Sequence, residues 1–175
     1  MGSGGGVITE HKATLNGIEV HFTRAGEGPP VVLVHGLAQD CRSWSSVQHG
    51  LPTASTYAYD LRGHGRTTLG DSNGTLAQLR DDFLAFLEGV TGPAIGVGFS
   101  LGGTVVLSAA VARPDLVRRV VVMGTSSVVG RAAKAFYAER IELFRGSDMA
   151  AKAAALRADT AAALRPWLHQ GTTAR

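Results

Sequence analysis

Ser100 stands in Val-Gly-Phe-Ser-Leu-Gly-Gly-Thr, residues 97–104, with Gly98 and Gly102 two positions to either side. The G-x-S-x-G spacing is that of a strand passing into a helix through a strained turn, which holds the serine hydroxyl above a sheet as a nucleophile. A side chain at Gly98 or Gly102 would collide with the neighbouring strand and helix. A helix beginning at Leu101 also turns unpaired N–H groups and its positive dipole end toward whatever Ser100 attacks. Leu101 N–H is therefore a candidate donor to a developing oxyanion. A second is Leu37 N–H, because His35-Gly36-Leu37 closes the apolar run Val31-Val-Leu-Val34 and Gly36 lets the backbone fold back toward Ser100. Taken without the elbow, His35-Gly36 reads as an ordinary strand-terminating turn.

Other chemistries fit the same stretch poorly. Residues 92–112 carry no charge, but the glycines and the interior Ser-Leu-Gly-Gly-Thr make a weak membrane span. Gly98 to Gly103 has the spacing of a phosphate loop, yet Thr104 follows where that loop needs Lys, and a dinucleotide fingerprint begun at Gly96 and Gly98 would place its third glycine on Leu101. His64, held between Gly63 and Gly65, reads as a turn residue, with Asp60 and Arg62 pinning the same turn.

The chain has 175 residues and a formal charge of +3, with its Lys and Arg scattered. Arg118-Arg119 is the only adjacent basic pair and no aromatics interleave with it, which argues against nucleic acid as a partner. The single Cys41 precludes an internal disulfide and fits a reducing, cytoplasmic setting; a small buried side chain is its expected role. Residues 1–6 read as a flexible leader without the charged and apolar regions of a secretion signal.

The elements that would carry these residues follow from periodicity. Ile8–Leu15 and Ile18–Phe22 flank Asn16-Gly17, a hairpin signal. Val31–Val34, Thr56–Asp60, the run from Ala94 and Val117–Met123 read as strands, Val31–Val34 and Val117–Met123 as buried ones. Ser43–Leu51 reads as a short helix with Trp44 and Val47 inward. Thr75-Leu-Ala-Gln78 is a capping box opening a helix with Leu76, Leu79, Phe83, Phe86, Leu87 and Val90 inward. From Val31 onward strand and helix alternate, which predicts an α/β fold: a mostly parallel sheet with an antiparallel amino-terminal hairpin and flanking helices. Residues 7–130 are expected to form this core. Residues 131–175 are alanine-rich helical segments with no strand between them, expected to form a lid or a peripheral helical hairpin.

Val-Val-Leu-Val-His-Gly-Leu at 31–37, Tyr-Asp-Leu-Arg-Gly-His-Gly-Arg-Thr at 59–67 and Gly-Phe-Ser-Leu-Gly-Gly at 98–103, in this order, resemble the α/β-hydrolase fold superfamily, over nearly all of residues 8–125. The likeness is greatest to small esterases, enol-lactonases and carbon–carbon bond hydrolases; Ser rather than Asp at position 100 separates the chain from epoxide-hydrolase and dehalogenase branches. The resemblance implies a Ser-acid-His triad acting on a small acyl substrate, with no metal and no cofactor. In the superfamily the acid and histidine follow the nucleophile on loops after later strands. Here no strand is read after Met123, and His169, Asp148 and Asp159 fall in the helical segment. Three readings follow. The chain is the amino-terminal part of a hydrolase whose carboxy-terminal complement brings the acid and the base; or it stands alone with His35 or His64 as base; or it is a non-catalytic binding or scaffold protein pairing through a bare sheet edge.

Overall fold

A computed structural model of the chain describes residues 7–71, 74–125, 130, 131, 134, 135, 138 and 139. The chain divides into two compact units, Met1–Ser127 and Val128–Arg175. Most of the expected lid, with His169, Asp148 and Asp159, lies outside the described residues.

The first unit is built on six strands: β1 (Thr9–Leu15), β2 (Ile18–Ala25), β3 (Pro30–Val34), β4 (Ser55–Tyr59), β5 (Ala94–Phe99) and β6 (Val117–Met123), in the sheet order β1-β2-β4-β3-β5-β6. β1, β2 and β4 pair antiparallel in sequence along the sheet, while β4, β3, β5 and β6 are mutually parallel. The hairpin turns at Asn16 and Gly17 with φ of 48° and 75°, the left-handed pair that an Asn-Gly turn supplies.

Alternate residues of β3 serve opposite faces. Val32 and Val34 pack with Ile18, Val20, Phe22 and Tyr59 beneath α2 (Leu76–Phe86) and α3 (Leu101–Ala112), which contribute Leu79, Phe83, Phe86, Val105, Val106 and Ala109. Val31 and Leu33 pack on the other face with Ala58, Cys41 and Trp44. The centre of the first face is aromatic: the Tyr59 and Phe86 rings stack at 5.0 Å, and Phe22 meets Phe86 edge-on at 5.1 Å.

Four local readings change. A 3₁₀ turn (Cys41–Trp44) precedes α1 (Ser45–Gly50), and Val47 is exposed while Gln48 points inward, where its amide meets Thr23 and Thr56. Leu76, the first residue of α2, is exposed because the capping box of Thr75 and Gln78 places it on the outer side of the first turn. Residues Leu87–Thr91 form a π-helical turn. β6 is exposed from Arg118 to Met123, as the outermost strand; among the described residues no element covers its outer side. A run of apolar residues reports what a strand could bury, not whether a neighbour is there to bury it.

One buried charge pair ties the loop after β4 to α2. The Arg62 guanidinium donates to both Asp82 oxygens, Nε to Oδ2 at 2.7 Å and Nη2 to Oδ1 at 2.6 Å, and Asn16 Nδ2 donates to Oδ1 at 2.7 Å. Asp82 shares the inward face of α2 with Leu79, Phe83 and Phe86. Replacing Asp82 by Ala strands the Arg62 charge, which should destabilise the unit by about 3–5 kcal/mol in urea unfolding, whereas the double replacement Arg62→Met/Asp82→Leu should recover most of that loss.

Candidate active site

Between β5 and α3 the backbone reverses in one residue. Ser100 has φ 51° and ψ −117°, a region costly for any residue with a Cβ. Its N–H donates to Met123 O of β6 at 2.9 Å, and its own carbonyl accepts from Gly103 N at 3.1 Å and from the Thr125 hydroxyl at 3.1 Å. The tip of the turn is thus fixed from both strand and helix sides. The side chain is half-buried.

The glycines flanking it are required by close approach. A Cβ on Gly98 would lie 2.5 Å from Gly102 C and from Gly103 Cα. One on Gly102 would overlap the Val34 and His35 carbonyl oxygens, and one on Gly103 would overlap the Thr125 side chain. Without these side chains α3 can start directly above β3 and β5, which is what leaves Ser100 at the corner.

The loop after β3 comes to the same corner. A Cβ on Gly36 would stand 3.3 Å from Ser100 Cβ, so the backbone at 36 passes against the serine. The loop is held there by Gln39, whose Oε1 accepts from Gly36 N at 3.0 Å and whose N–H donates to Gly36 O at 3.2 Å, with Ala38 at φ 59°. Among the described residues neither Leu37 N–H nor Leu101 N–H has an acceptor. Both belong to backbone next to the serine, Leu101 as the first residue of a twelve-residue helix.

His35 is fully buried, and both of its ring nitrogens are engaged. Nε2 accepts from Leu61 N–H at 3.0 Å, so Nδ1 carries the proton and donates to Gly36 O at 2.8 Å. Burial pushes its pKa below the usual imidazole range, which keeps the ring neutral. It therefore braces the two loops beside Ser100 and has no free nitrogen with which to take a proton. His64 Nδ1 lies 3.0 Å from Arg62 O, and its ring centroid is 5.2 Å from that of His35. Asp60 caps the turn as expected, accepting from Arg66 N–H at 2.9 Å and from Cys41 N–H at 2.7 Å.

All seven residues expected at the site, Ser100, Leu37, Leu101, Gly98, Gly102, His35 and Gly36, thus converge on one corner of the sheet. Gln39 and Thr125 were not legible as supports. A glutamine in a loop and a threonine after a strand carry no spacing signal, and their roles arise only from where the loops meet.

A mostly parallel sheet flanked by helices, with a strained serine at a strand-to-helix elbow, defines the class as α/β. Residues 29–175 match the family described as the alpha/beta hydrolase fold, and the chain belongs to that family. It is 36% identical over 114 residues to lipase LipV of Mycobacterium tuberculosis, covering 61% of this chain and 41% of that protein. It is 32% identical over 118 residues to a soluble epoxide hydrolase of Corynebacterium sp., covering 66% and 41%. Epoxide hydrolase A of Mycobacterium thermoresistibile superposes with a TM-score of 0.66 at 27% identity, over 76% of this chain and 45% of that one. The chain spans less than half the length of these relatives.

The strain at Ser100 has a measurable sign. A glycine adopts φ 51°, ψ −117° without the Cβ penalty, so Ser100→Gly should be more stable than Ser100→Ala by about 1 kcal/mol in chemical denaturation, although glycine normally costs stability relative to alanine.

Proposed function

We propose that the chain carries the nucleophile half of a serine hydrolase that acts on a small ester, lactone or thioester. Ser100 Oγ attacks the acyl carbonyl and forms an acyl-serine. Leu37 and Leu101 N–H receive the oxyanion, with the α3 dipole adding to the field at that point. The single observation that carries this reading is the strained φ, ψ of Ser100 beside two backbone N–H groups that lack acceptors among the described residues.

The family contains relatives named as lipase and as epoxide hydrolase, and the reacting group at the elbow of this chain is a hydroxyl. A hydroxyl is a weak nucleophile without a base. With His35 saturated by its two hydrogen bonds, the base and its carboxylate come in this proposal from a carboxy-terminal segment or chain. That complement would lie against β6, whose apolar residues Val120 to Met123 are exposed and whose end is bonded to Ser100 N. The same uncovered edge is what favours the second reading, a binding or scaffold protein that keeps the pocket and pairs through β6 without turnover. No helix among the described residues is long and apolar enough to cross a membrane. We place the protein in the cytoplasm, consistent with its single thiol.

Isolated together with whatever chain accompanies it, the protein should be labelled by a fluorophosphonate at Ser100. Ser100→Ala should abolish the label and lower p-nitrophenyl acetate turnover by at least about 10³-fold. Leu37→Ala and Leu101→Ala, which keep the N–H groups, should change turnover by less than about tenfold. Unchanged labelling in Ser100→Ala removes the serine from the mechanism. Saturable binding of acyl compounds without label or turnover selects the scaffold reading.

A further inference from the structure

On the face of the sheet opposite α2 and α3, three side chains with metal-binding atoms converge. His21 of β2 directs Nδ1 at Asp60 Oδ2, 2.9 Å away, and Cys41 Sγ lies 3.8 Å from the same Nδ1. One ligand atom from each of the three lies within 4.8 Å of the other two, and all three residues are buried. The cluster sits at the end of β4, with β3 between it and β5, so it is separate from the Ser100 corner.

We propose that His21 Nδ1, Cys41 Sγ and an Asp60 carboxylate oxygen form a binding site for a borderline-soft divalent cation, zinc in the first instance. Zinc takes N, S and O donors at about 2.0–2.3 Å in a tetrahedron, which sets the donors roughly 3.3–3.7 Å apart. The spacings of 2.9 and 3.8 Å bracket that range and the third, between Cys41 Sγ and an Asp60 oxygen, lies within 4.8 Å, so an ion has three donors to draw onto one centre. It replaces the hydrogen between His21 and Asp60, while Asp60 keeps the Arg66 N–H bond on Oδ2 and the Cys41 N–H bond on Oδ1.

An unsatisfied atom supports the assignment independently. His21 Nε2 is buried without a hydrogen-bond partner, and Glu10 Oε2 lies 4.0 Å from it. With the proton on Nδ1, as the bond to Asp60 requires, Nε2 turns a lone pair toward a carboxylate. When a cation takes Nδ1 the proton resides on Nε2 and points at Glu10, the carboxylate–histidine–metal arrangement that fixes a ligating ring. A cavity of about 160 Å³ reaches the cluster and is lined by Glu10, Asp40, Arg42 and Arg66 as well as the three ligands. The two arginines are already matched, Arg66 to Glu10 and Arg42 to Asp40, both at 2.5 Å. The fourth coordination position faces this cavity and takes water.

Charge and protons balance. Cys41 is a buried free cysteine, and an uncharged, protonated thiol is the form that burial favours. Binding displaces that proton to solvent, shifts the His21 proton from Nδ1 to Nε2, and leaves thiolate and carboxylate to neutralise the ion.

Cobalt(II) reports on the site directly, since the chain has one cysteine and any thiolate-to-cobalt charge-transfer band must come from Cys41. The untagged 175-residue chain should develop that band to a one-to-one endpoint, lose it on adding zinc, and release one proton per ion. His21→Gln, which can still donate to Asp60, should weaken binding by more than about 100-fold, and Glu10→Gln on the exposed side by about 10–100-fold. Ser100→Ala should bind as the parent does, so this result is independent of the hydrolase reading. Absence of the band, or a band whose affinity is unchanged in both His21→Gln and Glu10→Gln, overturns the site and leaves the cluster as a loop pin only. If His21→Gln fails to fold by circular dichroism, Glu10→Gln alone decides.

Discussion

The turn at Ser100 depends on close approach to glycine at three neighbouring points. Gly98 lies against Gly102 and Gly103, Gly102 against the carbonyls at the end of β3, and Gly36 against Ser100 itself. A methyl group would overlap backbone at the first two and crowd the Phe99 and Ser100 side chains at the third. With these contacts the helix starts at the sheet surface, and its Gly103 and Thr104 N–H groups bond the Ser100 carbonyl. The rest of the sheet serves this geometry by fixing β3 and β5 side by side in parallel register, Val34 opposite Gly98.

The loops at that end of the sheet are stiffened by buried polar groups rather than by apolar packing. Burial works to raise the Asp60 pKa, but hydrogen bonds from Arg66 and Cys41 N–H and from His21 outweigh it and hold the carboxyl below its ordinary value. The bond to Asp82, working against burial, raises the Arg62 guanidinium above its usual value. Hydrogen bonds of this kind are directional, so they specify one loop conformation where greasy contacts would tolerate several. His35 belongs to the same set: it is the bridge between the Gly36 carbonyl and Leu61 N–H, and hence between the two loops that border the serine.

What could be read from the chain was local and periodic. Asn16-Gly17 forms the hairpin, Val31–Val34 lies on two buried faces, and the serine motif folds as its glycines require, because each is decided within a few residues. What escaped depends on distant partners. Asp82 reads as the polar side of α2 until Arg62 and Asn16, 20 and 66 residues away, are brought to it. Cys41 was expected to be buried and is, yet its neighbours His21 and Asp60 lie 20 and 19 residues from it with no motif linking them. Val117–Met123 is apolar enough for an interior strand and occupies the rim, because burial depends on the next layer as well as on the strand.

That rim is unevenly defended. Arg118 and Arg119 occupy the beginning of β6, whereas Val120, Val121, Val122 and Met123 occupy the half whose last carbonyl holds the serine turn. Positive charge discourages strand addition at one end, and the residues at the other are uncharged. Strand addition at this rim is therefore least opposed at the end whose last carbonyl accepts from Ser100 N–H.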